Sequence, residues 1–171
     1  IIARAALESK NIAEAIGQVT TTPRAFPWHH NILSMKDNLY ASIETLPDGI
    51  VDANYQGDGL YVHTNHTLGR KTEEYSDQNE NYKNTSSVSR MRVLQQLLSN
   101  ANLPIEYPEK LLWFLSSHKN KPYSPCRHPE GDVRGQTLAT AFFDSSRKSM
   151  RIYKGNPCDS VELGNYSEYS F

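Results

Sequence analysis

The chain has 171 residues, with 18 Lys plus Arg against 19 Asp plus Glu and a formal net charge of -1. That length suits one domain, and the balanced charge lacks the basic footprint that a nucleic-acid partner requires. No apolar run approaches the length of a membrane span, and "IIARAALESK" is too interrupted to be a signal peptide's hydrophobic region, so no membrane partner is expected either. The compartment stays open.

Ile1 to Leu7 and Ile12 to Val19 place apolar residues at helical spacing, broken by "ESKN", with Ser9 or Asn11 able to cap the second helix. From Trp28 the period shortens. "HHNILSM", "NLYASIETL" and "GIVDANYQ" read as strands of an antiparallel meander, separated by "KDN" and by "PDG" at Pro47 to Gly49, a tight hairpin turn. "GDGLYVHTNH" then opens a strand at Leu60, Tyr61 and Val62 and places four polar residues, His63 to His66, at its mouth. "GRKTEEYSDQNENYKNTSS" is too polar to pack and reads as a long surface excursion. "SVSRMRVLQQLLSNAN" is an amphipathic helix with Val88, Met91, Leu94, Leu97 and Leu98 on one face, and its Arg90 and Arg92 are expected to keep their heads in water. "YPEKLLWFLSSH" is a shorter helix with Pro108 in its first turn. "YSPCRHPEGDVR" is a loop, and "GQTLATAFFDSSRKSMRIYKGNP" reads as a β-hairpin around "DSSRKS". The fold class is α+β, with an antiparallel sheet and helices on one or both faces.

Five residues carry candidate chemistry. Asn65, an amide at a strand end, can donate to the oxyanion of an acyl-transfer intermediate, although asparagine there is commonly a turn former. Arg134, in "GDVRGQT", can hold a carboxylate in a bidentate pair or bias a thiol toward thiolate, against the plain reading of a solvated arginine. His63, His66 and Tyr61 flank Asn65 and are assigned to substrate binding. His63 and His66 lie three apart, an odd offset that sends strand side chains to opposite faces. Together with Cys126 and His128 they allow a Cys/His zinc site, but the spacing has neither C-x-x-C nor H-x-x-x-H form, and no metal or other cofactor is assigned. Cys126 with His128 as nucleophile and base is weaker still, and one disulfide between Cys126 and Cys158 stays open. Phe26, Trp28, Tyr61 and Trp113 can line an apolar acyl pocket but read more readily as core. The sequons at Asn65, Asn84 and Asn165 are about as many as chance provides and carry no weight.

Three segments bear a resemblance to a known family. "IIARAALESKNIAEAI", "GLYVHTNH" with "SSVSRMRVLQQLL", and "YSPCRHPEGDVRGQTLATAFFDSSRKSMRIYKGNP" are similar to the helix pair, the V-H-T-N-H strand end with its following arginine-bearing helix, and the R-G-x-T-L loop and hairpin of the acyl-coenzyme A:6-aminopenicillanate (isopenicillin N) acyltransferases. Those proteins are relatives of the choloylglycine hydrolases among the N-terminal-nucleophile hydrolases. The resemblance implies an αββα sandwich and a cysteine, exposed by self-cleavage as the first residue of the mature chain, that attacks an amide or thioester carbonyl. It implies further that Asn65 is the oxyanion-hole amide and Arg134 the active-site arginine.

The chain departs from that pattern at its start. Residue 1 is Ile, and neither Cys126 nor Cys158 sits where the family places its thiol. The expectation is therefore a C-terminal portion of a single N-terminal-nucleophile domain, inactive by itself, exposing sheet edges and apolar helix faces, whose partner is the N-terminal segment that carries the nucleophile. The substrate expected is a small-molecule amide or acyl thioester. The competing reading, a non-catalytic module that keeps the fold and binds a small ligand or a protein, differs in lacking an upstream Cys, Ser or Thr at a self-cleavage point.

Overall fold

The computed structural model describes residues 1–49, 51–56, 61–72, 85–101 and 109–171. Contacts divide the chain into two compact units, Ile1–Lys83 and Asn84–Phe171. Each has helices and a three-stranded antiparallel sheet, so the architecture is α+β.

The first unit begins with α1 (Ile2–Leu7) and α2 (Ile12–Thr21). Asn11 caps α2 by accepting from the Glu14 N–H at 2.9 Å, which satisfies one of the donors that a helix start leaves unpaired. Asp37, in the turn between the first two strands, accepts from the Ile12 N–H at 2.7 Å and so ties that turn to the same helix end. The strands β1 (Trp28–Ser34), β2 (Leu39–Thr45) and β3 (Val51–Gln56) form a meander in the order β1-β2-β3. Both turns fall where the sequence puts them: Asn38 takes a φ of 49° between β1 and β2, and Gly49 a φ of 86° before β3. Asparagine and glycine tolerate those left-handed values, as hairpin turns require.

Because side chains alternate along a strand, the register assigns the two faces of this sheet separately. Thr45 pairs with Trp28, Ile43 with His30 and Ala41 with Ile32, which puts Ala41, Ile43 and Thr45 on one face. Ile12 and Val19 of α2 pack on that face with Ala41 and Ile43, and Ile2, Ala6, Ile16, Ile32 and Val51 close around them. Burial of Ile43 and Val19, both fully enclosed, contributes about 1.5–3 kcal/mol each. Arg24 bonds the Val19 carbonyl and the Thr45 hydroxyl and joins the end of α2 to β2. The opposite face carries His29, Asn31, Ser42, Glu44 and Asp52, and it is polar.

In the second unit, α3 (Ser86–Ser99) buries Met91, Val93 and Leu94 and is followed by α4 (Glu109–Leu115). Of the face expected from the sequence, Val88, Leu97 and Leu98 are half-buried. Pro108 lies outside the described residues. Arg92 is exposed as expected, whereas Arg90 is half-buried and its Nε donates to the Ser86 carbonyl at 3.2 Å. The hairpin of β4 (Ala139–Asp144) and β5 (Ser149–Lys154) forms around "DSSRKS", and a short helix α5 (Pro157–Ser160) leads to β6 (Tyr166–Ser170), which adds to the outside of β5. The sequence did not signal either of these last two elements.

Exposed apolar side chains include Leu7, Phe26, Leu33 and Trp113. The first strand β1, at the edge of its sheet, supplies one of them.

Candidate active site

Tyr61 to Thr72 lies over the polar face of the first sheet. The strand expected from Leu60 onward does not continue into it: Tyr61 to Thr64 carry no strand, and Leu60 is outside the described residues. Side chains rising from the sheet hold this segment instead of a backbone ladder. Glu44, the last residue of "YASIE", is buried on this face. Its carboxylate accepts from His63 Nε2 at 2.5 Å, from the N–H groups of Leu68 at 2.7 Å and Gly69 at 2.9 Å, and from the Thr72 hydroxyl. Asp52, on β3, accepts from the Lys71 N–H at 2.9 Å. Gly69 must be glycine because the backbone comes so close: a Cβ there would lie 2.5 Å from the Asp52 Cβ. The first residues of the long polar excursion are thus a built turn with Thr72 fully enclosed, while residues 73–84 are outside the described part.

These bonds set the electrostatics. Burial opposes ionisation of Glu44, but hydrogen bonds from His63, Thr72, Gly69 and Leu68 outweigh it and hold the carboxyl at about 2, so it is a carboxylate at neutral pH. His63 is fixed on a second side by His29, whose ring stacks on it at 3.5 Å between centroids and 12° between planes. His29 is pushed down to about 4, by burial first and by the neighbouring His63 and His30, with Glu44 acting in the opposite sense. It is therefore a neutral imidazole at pH 7, and its Nε2 meets the Ser42 hydroxyl at 2.8 Å.

Next to this cluster lies a cleft of about 310 Å³ lined by Pro27, Trp28, His29, Glu44 and the run His63 to Thr67. Three of the residues singled out in the sequence, His63, Asn65 and His66, line it together; Asn65 is exposed, and Thr64 bonds His66 Nδ1 at 3.1 Å. Tyr61 does not line it. It lines a smaller cleft of about 110 Å³ on the other side of Glu44, with Ser42, Asp52, Leu68 and Gly69. Of the aromatics read as core, Trp28 is exposed at the cleft, Phe26 and Trp113 are exposed, and Tyr61 is half-buried. None belongs to the interior.

Arg134 belongs to the second unit, exposed on the loop between the Glu130–Val133 bridge and β4. The guanidinium packed within that loop is Arg127's: it occupies the space that a side chain at Gly135 would need, and its buried Nε has no hydrogen-bond partner among the described residues. Thr137 fixes the loop, its N–H donating to the Arg127 carbonyl at 3.0 Å and its hydroxyl accepting from the Arg127 N–H at 3.1 Å. Cys126 and His128 also belong to this unit, where their neighbours are His118 and Cys158. Both cysteines are thiols, with no bridge between them.

A family model described as acyl-coenzyme A:6-aminopenicillanic acid acyl-transferase matches residues 1–159. The chain belongs to this acyl-transferase family. A search of curated proteins finds no match to it. Membership points to acyl-transfer or hydrolytic chemistry. The residues that the sequence reading missed are Glu44 and His29. A signal for Glu44 was present: a single carboxylate inside "ASIETL" has to face something polar, since an unpaired buried charge is costly.

Proposed function

We propose that the protein is a cysteine-dependent amide hydrolase or acyltransferase of the N-terminal-nucleophile type, working on a small-molecule amide or acyl thioester at the cleft beside "VHTNH". The observation that carries this reading is the cleft itself, with Asn65 on its wall and His63, two residues earlier, locked by Glu44 and His29.

In this reading a thiolate attacks the substrate carbonyl, and the oxygen takes up the electron pair of the C=O bond. The Asn65 amide donates a hydrogen bond to that oxyanion, a contact worth about 3–4 kcal/mol in the transition state. Collapse of the tetrahedral intermediate expels the amine, which leaves with a proton, and forms a thioester. Water then releases the acid, or a second amine takes the acyl group. Glu44, through its bonds to His63, Leu68 and Gly69, fixes the backbone that carries Asn65, and His63 and His66 on the cleft wall are assigned to substrate binding. Arg134 is assigned to the substrate carboxylate or to the thiolate.

The nucleophile in this proposal comes from a segment outside residues 1–171. Cys126 is wholly buried, and both thiols lie against His128 rather than open to a substrate. The αββα sandwich of such enzymes is the architecture the proposal assumes for the complete protein.

The test is Asn65→Ala in the complete protein, followed by single-turnover acylation. Loss of one oxyanion donor should lower turnover by about 10²–10³-fold with little change in KM. A loss below about fivefold overturns the assignment.

A further inference from the structure

In the second unit, four side chains from four places in the sequence converge. His118 follows α4, Cys126 and His128 lie in the loop after it, and Cys158 opens α5. One ligand atom from each lies within 4.8 Å of all the others. His128 Nε2 is the hub, 3.1 Å from His118 Nε2, 3.5 Å from Cys126 Sγ and 3.4 Å from Cys158 Sγ. We propose that these four residues form a structural Cys₂His₂ site for a zinc-class divalent metal.

The distances carry the proposal. A tetrahedral zinc with Zn–S of about 2.3 Å and Zn–N of about 2.0–2.1 Å has ligand-to-ligand edges of about 3.3–3.8 Å. The three edges at His128 fall on or just below that range. Two thiols and two imidazoles in a compact group are the ligand set of closed zinc sites, and sulfur ligands disfavour magnesium, calcium and manganese.

The surroundings also suit a metal. Cys126 is completely enclosed, Cys158 and His128 are half-buried, and His118 caps the group from the exposed side. The Cys126 N–H donates to the Ser117 carbonyl at 3.0 Å, which fastens the ligand loop to the end of α4 beside His118. The Asn156 amide nitrogen donates to the Arg127 carbonyl at 3.0 Å and lies 2.8 Å from both ring nitrogens of His128, so it packs against that ring and ties it to the ligand loop. Binding forms two Zn–S and two Zn–N bonds, and each thiol passes its proton to solvent as its Zn–S bond forms. With two cysteines and one metal, the group would staple the end of α4, the loop after it and α5.

The test uses the full chain, purified under reducing conditions and stripped with a chelator. It should take up about one Zn²⁺ per chain by elemental analysis, and Co²⁺ should give the sulfur-to-cobalt charge-transfer and strong tetrahedral ligand-field bands. His118→Ala, an exposed change compatible with folding, and Cys158→Ser should each weaken uptake by more than about 100-fold, and Cys158→Ser should halve the charge-transfer intensity. Zinc below about one per ten chains without thiolate–cobalt bands, or uptake unaffected by both variants, overturns the proposal. So does a Cys126–Cys158 disulfide that survives in the folded, reduced chain. None of these readouts uses catalytic turnover, so the outcome is independent of the activity proposed for the cleft.

Discussion

Glu44 Oε1 lies 2.5 Å from His63 Nε2, and neither side chain is more than 6% exposed. Nineteen residues of sequence separate them. The carboxylate is on a strand and the imidazole on a segment without secondary structure, so this contact is one of those that make the segment part of the fold. The carboxylate is acceptor only, and its four donors come from one stretch of twelve residues, Tyr61 to Thr72.

Glu44→Gln keeps the shape and gives an acceptor oxygen and an amide where two charged acceptor oxygens stood. The amide nitrogen must then face backbone N–H groups that are themselves donors. Loss of a hydrogen bond to a charged group costs about 1.5–3 kcal/mol, so a fall in stability of that order is expected in urea unfolding. A change below about 0.5 kcal/mol would mean that the network is not holding the segment.

His63→Phe removes the donor and keeps a ring that can stack on His29. Glu44 loses the hydrogen bond that contributes most to its low pKa, so its carboxyl should move upward. In the complete protein kcat should fall, because the backbone that carries Asn65 shifts. The carboxyl titration followed by NMR checks the first half, and steady-state kinetics the second.

Acid should destabilise the first unit in two steps. His29 has a folded pKa of about 4 against an ordinary 6.5, and Glu44 about 2 against 4.5. Both are depressed, so in each case the unfolded chain takes up a proton first, and stability falls as pH drops from the unfolded value to the folded one. His29 accounts for the loss between about 6.5 and 4, and Glu44 for that between about 4.5 and 2. Tm measured against pH should lose its upper slope in His29→Gln and its lower slope in Glu44→Gln. An unchanged profile in both variants would refute the assignment.

Gly69→Ala places a methyl group against the Asp52 Cβ and Cγ, atoms close to the backbone that have little room to move. The turn has to lift from the sheet, stretching the bonds to both Glu44 and Asp52. A cost of about 1–3 kcal/mol is expected, read as a lower Tm and faster hydrogen exchange at Leu68, Gly69 and Lys71. Gly17→Ala, where a Cβ meets nothing within 4 Å, is the control that should be neutral or stabilising.

The elements that the sequence disclosed are those whose signals are local. The meander was readable because apolar and polar residues alternate along it and because Asn38 and Gly49 mark its turns; α3 was readable from the spacing of Met91 and Leu94. Strand β6 was not, since every residue from Tyr166 to Ser170 is exposed and so no alternation of burial was imprinted on it. The cleft was half legible: "VHTNH" announced its polar wall, but the residue that anchors the wall, Glu44, is distant in sequence, and only the pairing of β1, β2 and β3 brings it there. Cys126 and His128 drew notice as a pair, yet their partners His118 and Cys158 lie eight residues before and thirty after them, at spacings no motif describes.

The alternation along β2 has one more consequence. Ile43 faces the helices and Glu44 faces the cleft, so adjacent residues of one strand belong to the core and to the site. A one-residue slip of β2 against β1 and β3 would exchange them, sending a carboxylate into the apolar layer and an isoleucine under His63. The packing of Ile12 and Val19 therefore acts as a proofreader for the cleft: any chain that has folded its core in the right register has also set the height and side of the carboxylate on which "VHTNH" rests.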